Sequence, residues 1–399
     1  MNHPRETRGC AILQVANKKL PENDYRISYS AKSRFGRSKF ILPGRPENLP
    51  REQFFRVGFG EGLGWRDVAH FVRLAKYLIL HRRKHQLVHF FSTKLFLFGP
   101  WCARLAGMKY VATVTGFGRT FNRDRWLYRL LRPFYLLLAH HSCRHAEQIY
   151  FQNYGDLDWA REKFPRLAER MRWIGSGVDA ASLRRTDYES RPLRILAVAR
   201  LMPDKGITEY LAAADAARGT NMEFHLVGPP SDGQHFLLEQ VRARHAKGTI
   251  RYHGELGAAD LANVYARCHI FLFLSHGEGM SRAMLEAGFA GLCPLASDIP
   301  ANRDLVRDGG GFLLARPAST TRILDLLQLL NGDRELLSDA ARAYQRLVVT
   351  LYTTSAYRQR LDKSLVALDC VREPKNPFPS DASERLAPDG NRIFFKNAG

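Results

Sequence analysis

Cysteine is scarce in this sequence: the six residues Cys10, Cys102, Cys143, Cys268, Cys293 and Cys370 stand apart without paired spacing. That scatter argues against a disulfide framework and against a zinc ribbon. His140, His141, Cys143 and His145 are the one cluster of metal-ligand types, and His141 and His145 can share a helix face. With no opposing cysteine or carboxylate pair nearby, an ordinary helix is expected there and no metal. Long apolar runs are missing as well. No stretch reaches the ~18 apolar residues that span a bilayer, and Met1 to Cys10 lacks the apolar core of a signal peptide. A cytoplasmic protein, peripheral on the inner face of the cell membrane, is the expectation. Signatures of RRM, KH, zinc-finger and helix-turn-helix modules are absent. Gly58, Gly60, Gly62 and Gly64 spell neither a dinucleotide fingerprint nor a Walker loop, and read as a flexible loop before a helix at Trp65.

Acidic residues are few too, with 39 Asp and Glu against 60 Lys and Arg for a net charge of +21. Residues 1–180 hold 32 basic and 14 acidic side chains, so nearly all the excess lies in the first half. Such an excess suits an anionic membrane surface, at about 1 kcal/mol per basic residue near lipid. Two segments could make that contact. Trp65 to Lys84 reads as a helix with Val68, Phe71, Val72, Ala75, Leu78 and Ile79 on one side. Arg123 to Ala139 mixes arginines with Trp126, Leu130, Leu131, Phe134 and Tyr135, as an interfacial helix does. The alternative is that both cover a sheet with their apolar faces. A basic excess is also the footprint of nucleic-acid binding, but with none of those modules in the sequence no nucleic-acid partner is expected, and that class is kept as the less favoured alternative.

At 399 residues the chain is long enough for two cores. The expected division is a domain over 1–180, a polar linker over 181–192, a second domain over 193–354, a helix over 355–370 and a Pro-rich disordered tail over 371–399.

Within the second domain, Leu193 to Val198 reads as a buried parallel strand, followed by Arg200 and Lys205 on the loop where open α/β sheets bind ligands. Arginine forks two phosphate oxygens, lysine adds a mobile point charge, and Gly206 lets the backbone pass close before the next helix begins. A second strand, Ile270 to Leu274, leads into Ser275-His276-Gly277-Glu278-Gly279 and a helix from about Ser281 that carries Glu286. Carboxylates there can accept from vicinal sugar hydroxyls.

Together, Val198-Ala199-Arg200-Leu201 with Lys205-Gly206, the Glu278 to Glu286 spacing, and Phe224 to Pro230 resemble the nucleotide-binding half of retaining glycosyltransferases of family 4. The likeness extends more loosely to Val88 to Lys94, Thr113 to Gly118, Tyr150 to Asn153 and Gly175 to Asp179. That branch builds bacterial surface polysaccharides and lipid-linked oligosaccharides. The resemblance implies an α/β fold of the GT-B type, two Rossmann-like domains facing a cleft, with a C-terminal helix crossing back to the first domain. It implies an enzyme that moves a hexose or N-acetylhexosamine from a nucleotide sugar, UDP favoured, to a glycan on a polyprenyl diphosphate, with no metal or other cofactor. In those terms Arg200, Lys205 and Glu278 are catalytic, while Gly228, Gly279, Met280, Ser281 and Glu286 bind donor. His89, Lys94, Thr115 and Gly116 are acceptor-side candidates. The sequence departs from the family in Lys18 to Gly36, which shows no apolar helical period, and in Phe91, where a second histidine is frequent. Those departures keep an inactive scaffold of the same fold as the alternative.

Overall fold

The computed structural model describes residues 12–17, 26, 38–47, 49–59, 64–117, 126–178, 187–231, 233–307 and 310–368. The sequence readings on Cys10, on Lys18 to Gly36 apart from Arg26, on Gly60 and Gly62, on Cys370 and on the tail lie outside the described residues.

Two parallel sheets organise the chain. The first runs β3 (Phe54–Arg56), β2 (Lys39–Leu42), β1 (Ile12–Ala16), β4 (Leu87–Phe91), β5 (Tyr110–Val114), β6 (Gln148–Phe151) and β7 (Met171–Trp173) in spatial order. The second runs β10 (Arg251–Tyr252), β9 (Met222–Val227), β8 (Leu193–Val198), β11 (Ile270–Phe273), β12 (Cys293–Ser297) and β13 (Phe312–Leu314). In each sheet the order reverses once, between β1 and β4 and between β8 and β11. A crevice opens at such a reversal, because the loops on its two sides leave toward opposite faces. Both are parallel α/β sheets, and the strands read as continuous apolar runs because both faces are covered.

Helices α1 (Arg66–His81), α2 (Thr93–Leu105), α3 (Trp126–His145) and α4 (Tyr154–Lys163) cover one face of the first sheet in a single apolar cluster. Around the second sheet wrap α5 (Ile207–Ala216), α6 (His235–Ala246), α7 (Ala258–Arg267), α8 (Arg282–Ala290), α9 (Pro300–Arg307), α10 (Thr320–Gly332) and α11 (Arg334–Leu351). The last helix, α12 (Thr354–Val366), returns to the other face of the first sheet. There Tyr357, Leu361 and Leu365 pack on Ile12, Leu87, Val111 and Tyr150. Its Arg360 donates from Nε to the Ile174 carbonyl at 2.9 Å and lies 4.4 Å from the Trp173 ring centre.

One amphipathic face differs from the sequence reading. Helix α1 buries Asp67, Leu74, Ala75, Tyr77 and Leu78, while Val68, Val72 and Ile79 face outward. The reason is Asp67: its carboxylate accepts from Lys94 Nζ at 2.9 Å and from the Gly64 amide at 2.9 Å, which rotates that polar position inward.

Candidate functional site

The second domain presents its polar residues at the strand reversal. Ala199 N–H donates to Val227 O at 3.0 Å and Leu201 N–H to Pro229 O at 3.0 Å. Residues on either side of Arg200 are thereby tied to the neighbouring loop, and Arg200 itself is exposed. Gly228 makes that approach possible: at φ 147°, a Cβ there would lie 1.9 Å from Ala199 O. Its place is thus under the Arg200 loop, as a spacer.

Beyond Leu201 a 3-10 turn, Pro203–Lys205, leads to Gly206 at φ 70°. A Cβ on Gly206 would meet Leu274 O at 2.3 Å, so glycine is what lets the start of α5 press against the end of β11. The consequence is a direct contact between the two loops. Lys205 Nζ donates to Glu278 Oε1 at 2.5 Å, and Ser275 Oγ donates to the same oxygen at 3.0 Å. Both charged side chains are about one-fifth exposed. His276 N–H donates to Asp204 O at 2.9 Å, and the His276 ring meets Glu209 of α5 at 3.0 Å. A small cavity lined by Val198, Lys205, Gly206, Phe273 and Leu274 lies at this junction.

Glu286 sits on α8 in a separate network. Tyr265 OH donates to it at 3.3 Å and Arg282 lies 3.5 Å away. Burial pushes its carboxyl above the usual range, opposed by Arg282 and the tyrosine. Ser281 is the N-cap of α8, its Oγ accepting from Met284 N–H at 3.3 Å, with Met280 half-buried beside it.

Across the cleft the first domain touches this loop through backbone. A Cβ on Gly279 would stand 2.0 Å from Thr115 O, and one on Gly116 would stand 2.9 Å from Gly279 Cα. Gly116 has φ 102°, and its carbonyl accepts from Thr93 Oγ1 at 2.7 Å. Asn153 Nδ2 donates to Gly279 O at 2.7 Å, Tyr154 N–H donates to Asp304 Oδ2 at 2.5 Å, and Gly155 faces Pro300. Thr115 and Gly116, expected on the acceptor side, therefore border the loop that carries Glu278 and Gly279.

His89 and Lys94 do not. His89 is buried in β4, its Nε2 2.7 Å from Thr113 Oγ1 and its ring stacked 3.9 Å from Phe91. Burial, with Arg26 nearby, pushes that imidazole down to about 3. Lys94 is spent on buried Asp67. Burial raises the Asp67 carboxyl, but the bonds from Lys94 and Gly64 outweigh it and hold the pKa low. Of the histidine cluster, His141 stacks on Trp101 at 3.9 Å while Cys143 is buried in the core.

Sequence reasoning assigned no role to Asn153, Ser275 or Asp304. A signal for the first was present: Asn153 with Asp156 three residues on is a helix N-cap pattern, which fixes an amide side chain at a domain edge.

Comparison with known proteins agrees with this geometry. The family described as "Glycosyl transferases group 1" matches residues 182–346. The likeness covers that stretch, less than half of the chain. Over the whole chain, a crystal structure of Anabaena Alr3699/HepE in complex with UDP is similar with a TM-score of 0.70 at 16% identity, covering 90% of this chain and all of that one. The fold is therefore GT-B. The GtfA subunit of a UDP-N-acetylglucosamine–peptide N-acetylglucosaminyltransferase from Streptococcus pneumoniae is 25% identical across 46% of this chain and 37% of its own. A GDP-mannose:cellobiosyl-diphosphopolyprenol alpha-mannosyltransferase of Komagataeibacter xylinus is 23% identical across 75% and 76%. The chain spans less than half the length of the first curated relatives it matches.

Proposed function

We propose that this protein transfers a hexose or N-acetylhexosamine from a nucleoside diphosphate donor to a glycan carried on a polyprenyl diphosphate, with retention at the anomeric carbon. The observation that carries the reading is the Lys205–Glu278 contact between two loops at the strand reversal of the second sheet. In that contact each charge neutralises the other. A donor replaces both halves of the pair: its diphosphate takes Lys205 together with Arg200, and its sugar hydroxyls take Glu278. The bond between the anomeric carbon and the diphosphate oxygen then breaks with its electron pair on the diphosphate. The acceptor hydroxyl attacks from the same face, and its proton passes to the departing phosphate oxygen. Fixed cations beside the leaving group supply the electrostatic stabilisation that such a step needs. Thr115 and Gly116 border the acceptor side, while Glu286 reaches the ribose.

The K. xylinus relative supports a polyprenol-linked acceptor, and its name together with the UDP complex leaves both nucleotides in play. A membrane-borne acceptor also suits the outward faces of α1, α2 and α3. Val68, Leu105, Leu130, Phe134 and Leu137 are exposed on these helices, as is Trp65 just before α1, and α1 and α2 also expose Arg73, Lys76 and Arg104. No helix among the described residues is long and apolar enough to cross a membrane, so contact with anionic lipid is peripheral.

A thermal-shift screen of UDP- and GDP-sugars, followed by transfer to a polyprenyl-diphosphate glycan with and without EDTA, tests the reading. Arg200→Ala should remove stabilisation by the intact donor far more than by the nucleoside, and EDTA should leave transfer unchanged. Equal responses contradict the phosphate role. Binding without transfer would point to a scaffold, and a free epimer to an isomerase.

A further inference from the structure

The first domain contributes a buried side chain to the donor loop of the second. Asn153 is 1% exposed and caps α4. Its amide orientation is set by its neighbours: Oδ1 accepts from Asp156 N–H at 2.7 Å, so Nδ2 is the end that turns the other way. One Nδ2 hydrogen goes to Asp156 Oδ2 at 2.8 Å, the other to Gly279 O at 2.7 Å. Every hydrogen of that amide group is used, in one geometry.

The bond matters because of what shares its peptide plane. In a trans peptide the C=O of one residue and the N–H of the next point in opposite directions. Anchoring Gly279 O toward the first domain directs the Met280 N–H away from it. Gly279 has no side chain to resist, and none would fit, since Thr115 O occupies the Cβ position at 2.0 Å. Glu278 precedes this peptide, and Ser281, the cap of α8, follows it.

We infer that Asn153 is a positioning residue for the donor: it fixes the Gly279–Met280 peptide so that the donor loop acquires its binding geometry only when the two domains are together. The inference rests on the glycosyltransferase reading for the identity of the ligand, and on the hydrogen bonds alone for the coupling.

Asn153→Ser separates this role from helix capping, because serine caps as well as asparagine but is too short to reach Gly279. The full chain and the variant are compared by hydrogen exchange across 277–283 and by calorimetric binding of a UDP- or GDP-sugar against the matching nucleoside monophosphate. Loss of one such bond is expected to weaken the intact donor about tenfold and to leave the monophosphate within twofold. Exchange across 277–283 should rise, and the melting temperature should stay within about 2 °C. Unchanged exchange in 277–283 overturns the inference, as does an equal loss of donor and monophosphate with a lowered melting temperature, which is the mark of a structural role. If the unmodified chain binds no sugar nucleotide while exchange still rises, the coupling stands and the functional reading fails.

Discussion

The two halves of this protein share a sheet topology and differ in what they do with their buried polar groups. At the reversal of the second sheet, Lys205 and Glu278 keep about one-fifth of their side chains exposed and satisfy each other in direct contact between two loops. In the first domain the equivalent chemistry is sealed: Lys94 and Asp67 are 5% and 9% exposed, and His89 is closed against Thr113 and Phe91. An ion pair at a mouth can be exchanged for a ligand, whereas one in a core is part of the packing. Fold alone does not distinguish these cases; placement does.

The widest test of that contrast exchanges the same residue type in both places. Lys205→Ala should cut transfer by roughly 10²–10³, as loss of a charge-stabilising group at a reacting centre does, with little change in stability. Lys94→Ala should do the reverse, lowering stability by about 3 kcal/mol because it strands a buried carboxylate, while donor affinity in the surviving folded protein stays unchanged. Chemical denaturation and donor titration on both variants read the two quantities. Similar profiles would erase the distinction.

Next in size is the seam between the halves. Gly279→Ala places a methyl 2.0 Å from Thr115 O. Both cores lie away from this point, so each domain should fold while the seam opens. Transfer should drop roughly a hundredfold, the usual consequence of displacing reacting groups by an ångström. Small-angle scattering should show a larger radius of gyration. An unaltered radius with unaltered activity would mean that the seam is compliant.

Much of this arrangement could be read from the residues, for reasons that differ by region. The strand Leu193–Val198 and the loop with Arg200, Lys205 and Gly206 are encoded locally, because an apolar run, a cation pair and a glycine each have a nearby cause. The inward face of α1 was legible only in part: Ala75 and Leu78 are buried as expected, but Val68, Val72 and Ile79 face outward, and the bonds that draw Asp67 inward come from Gly64 and from Lys94, 27 residues away. The bond from Asn153 to Gly279, 126 residues apart, was not legible, since no local pattern reports a contact made between domains. His89 was an acceptor-side candidate only through the family resemblance of Val88 to Lys94, and Thr113 on the adjacent strand satisfies it.

Acid titration should also divide the molecule, at smaller amplitude. Burial pushes His89, His225 and His269 down to about 3, 4 and 4, so the folded chain binds fewer protons than the unfolded one below about pH 6.5, and stability falls as pH drops. Asp156, at the seam, runs the other way. Burial, with the charge of Asp304, raises its carboxyl to about 6, so the folded state binds the extra proton and gains stability as pH falls from about 7 toward about 4. Asp156→Asn removes that opposing contribution. The loss of stability between about pH 7 and about pH 5 should therefore grow by about 1 kcal/mol. A shallower acid limb in the variant would show that Asp156 is ionised in the folded protein at about pH 5.

The smallest effect on the fold is expected where the first domain faces outward. Leu130 is 70% exposed and Phe134 59% on α3, and neither belongs to the apolar cluster under that helix. Replacing Leu130 and Phe134 with Glu should leave stability within about 0.5 kcal/mol, since neither side chain contributes to that core. Lipid contact is another matter, because the double change removes exposed apolar area and adds two negative charges to a domain rich in basic residues. Partition onto vesicles of mixed neutral and anionic lipid should weaken about tenfold or more, and added salt should narrow the difference by screening the charges. Equal partition of both proteins would move the membrane contact off this face. A loss of partition that salt does not reduce would assign the contact to apolar insertion alone, leaving the first domain's 32 basic residues without a part in it.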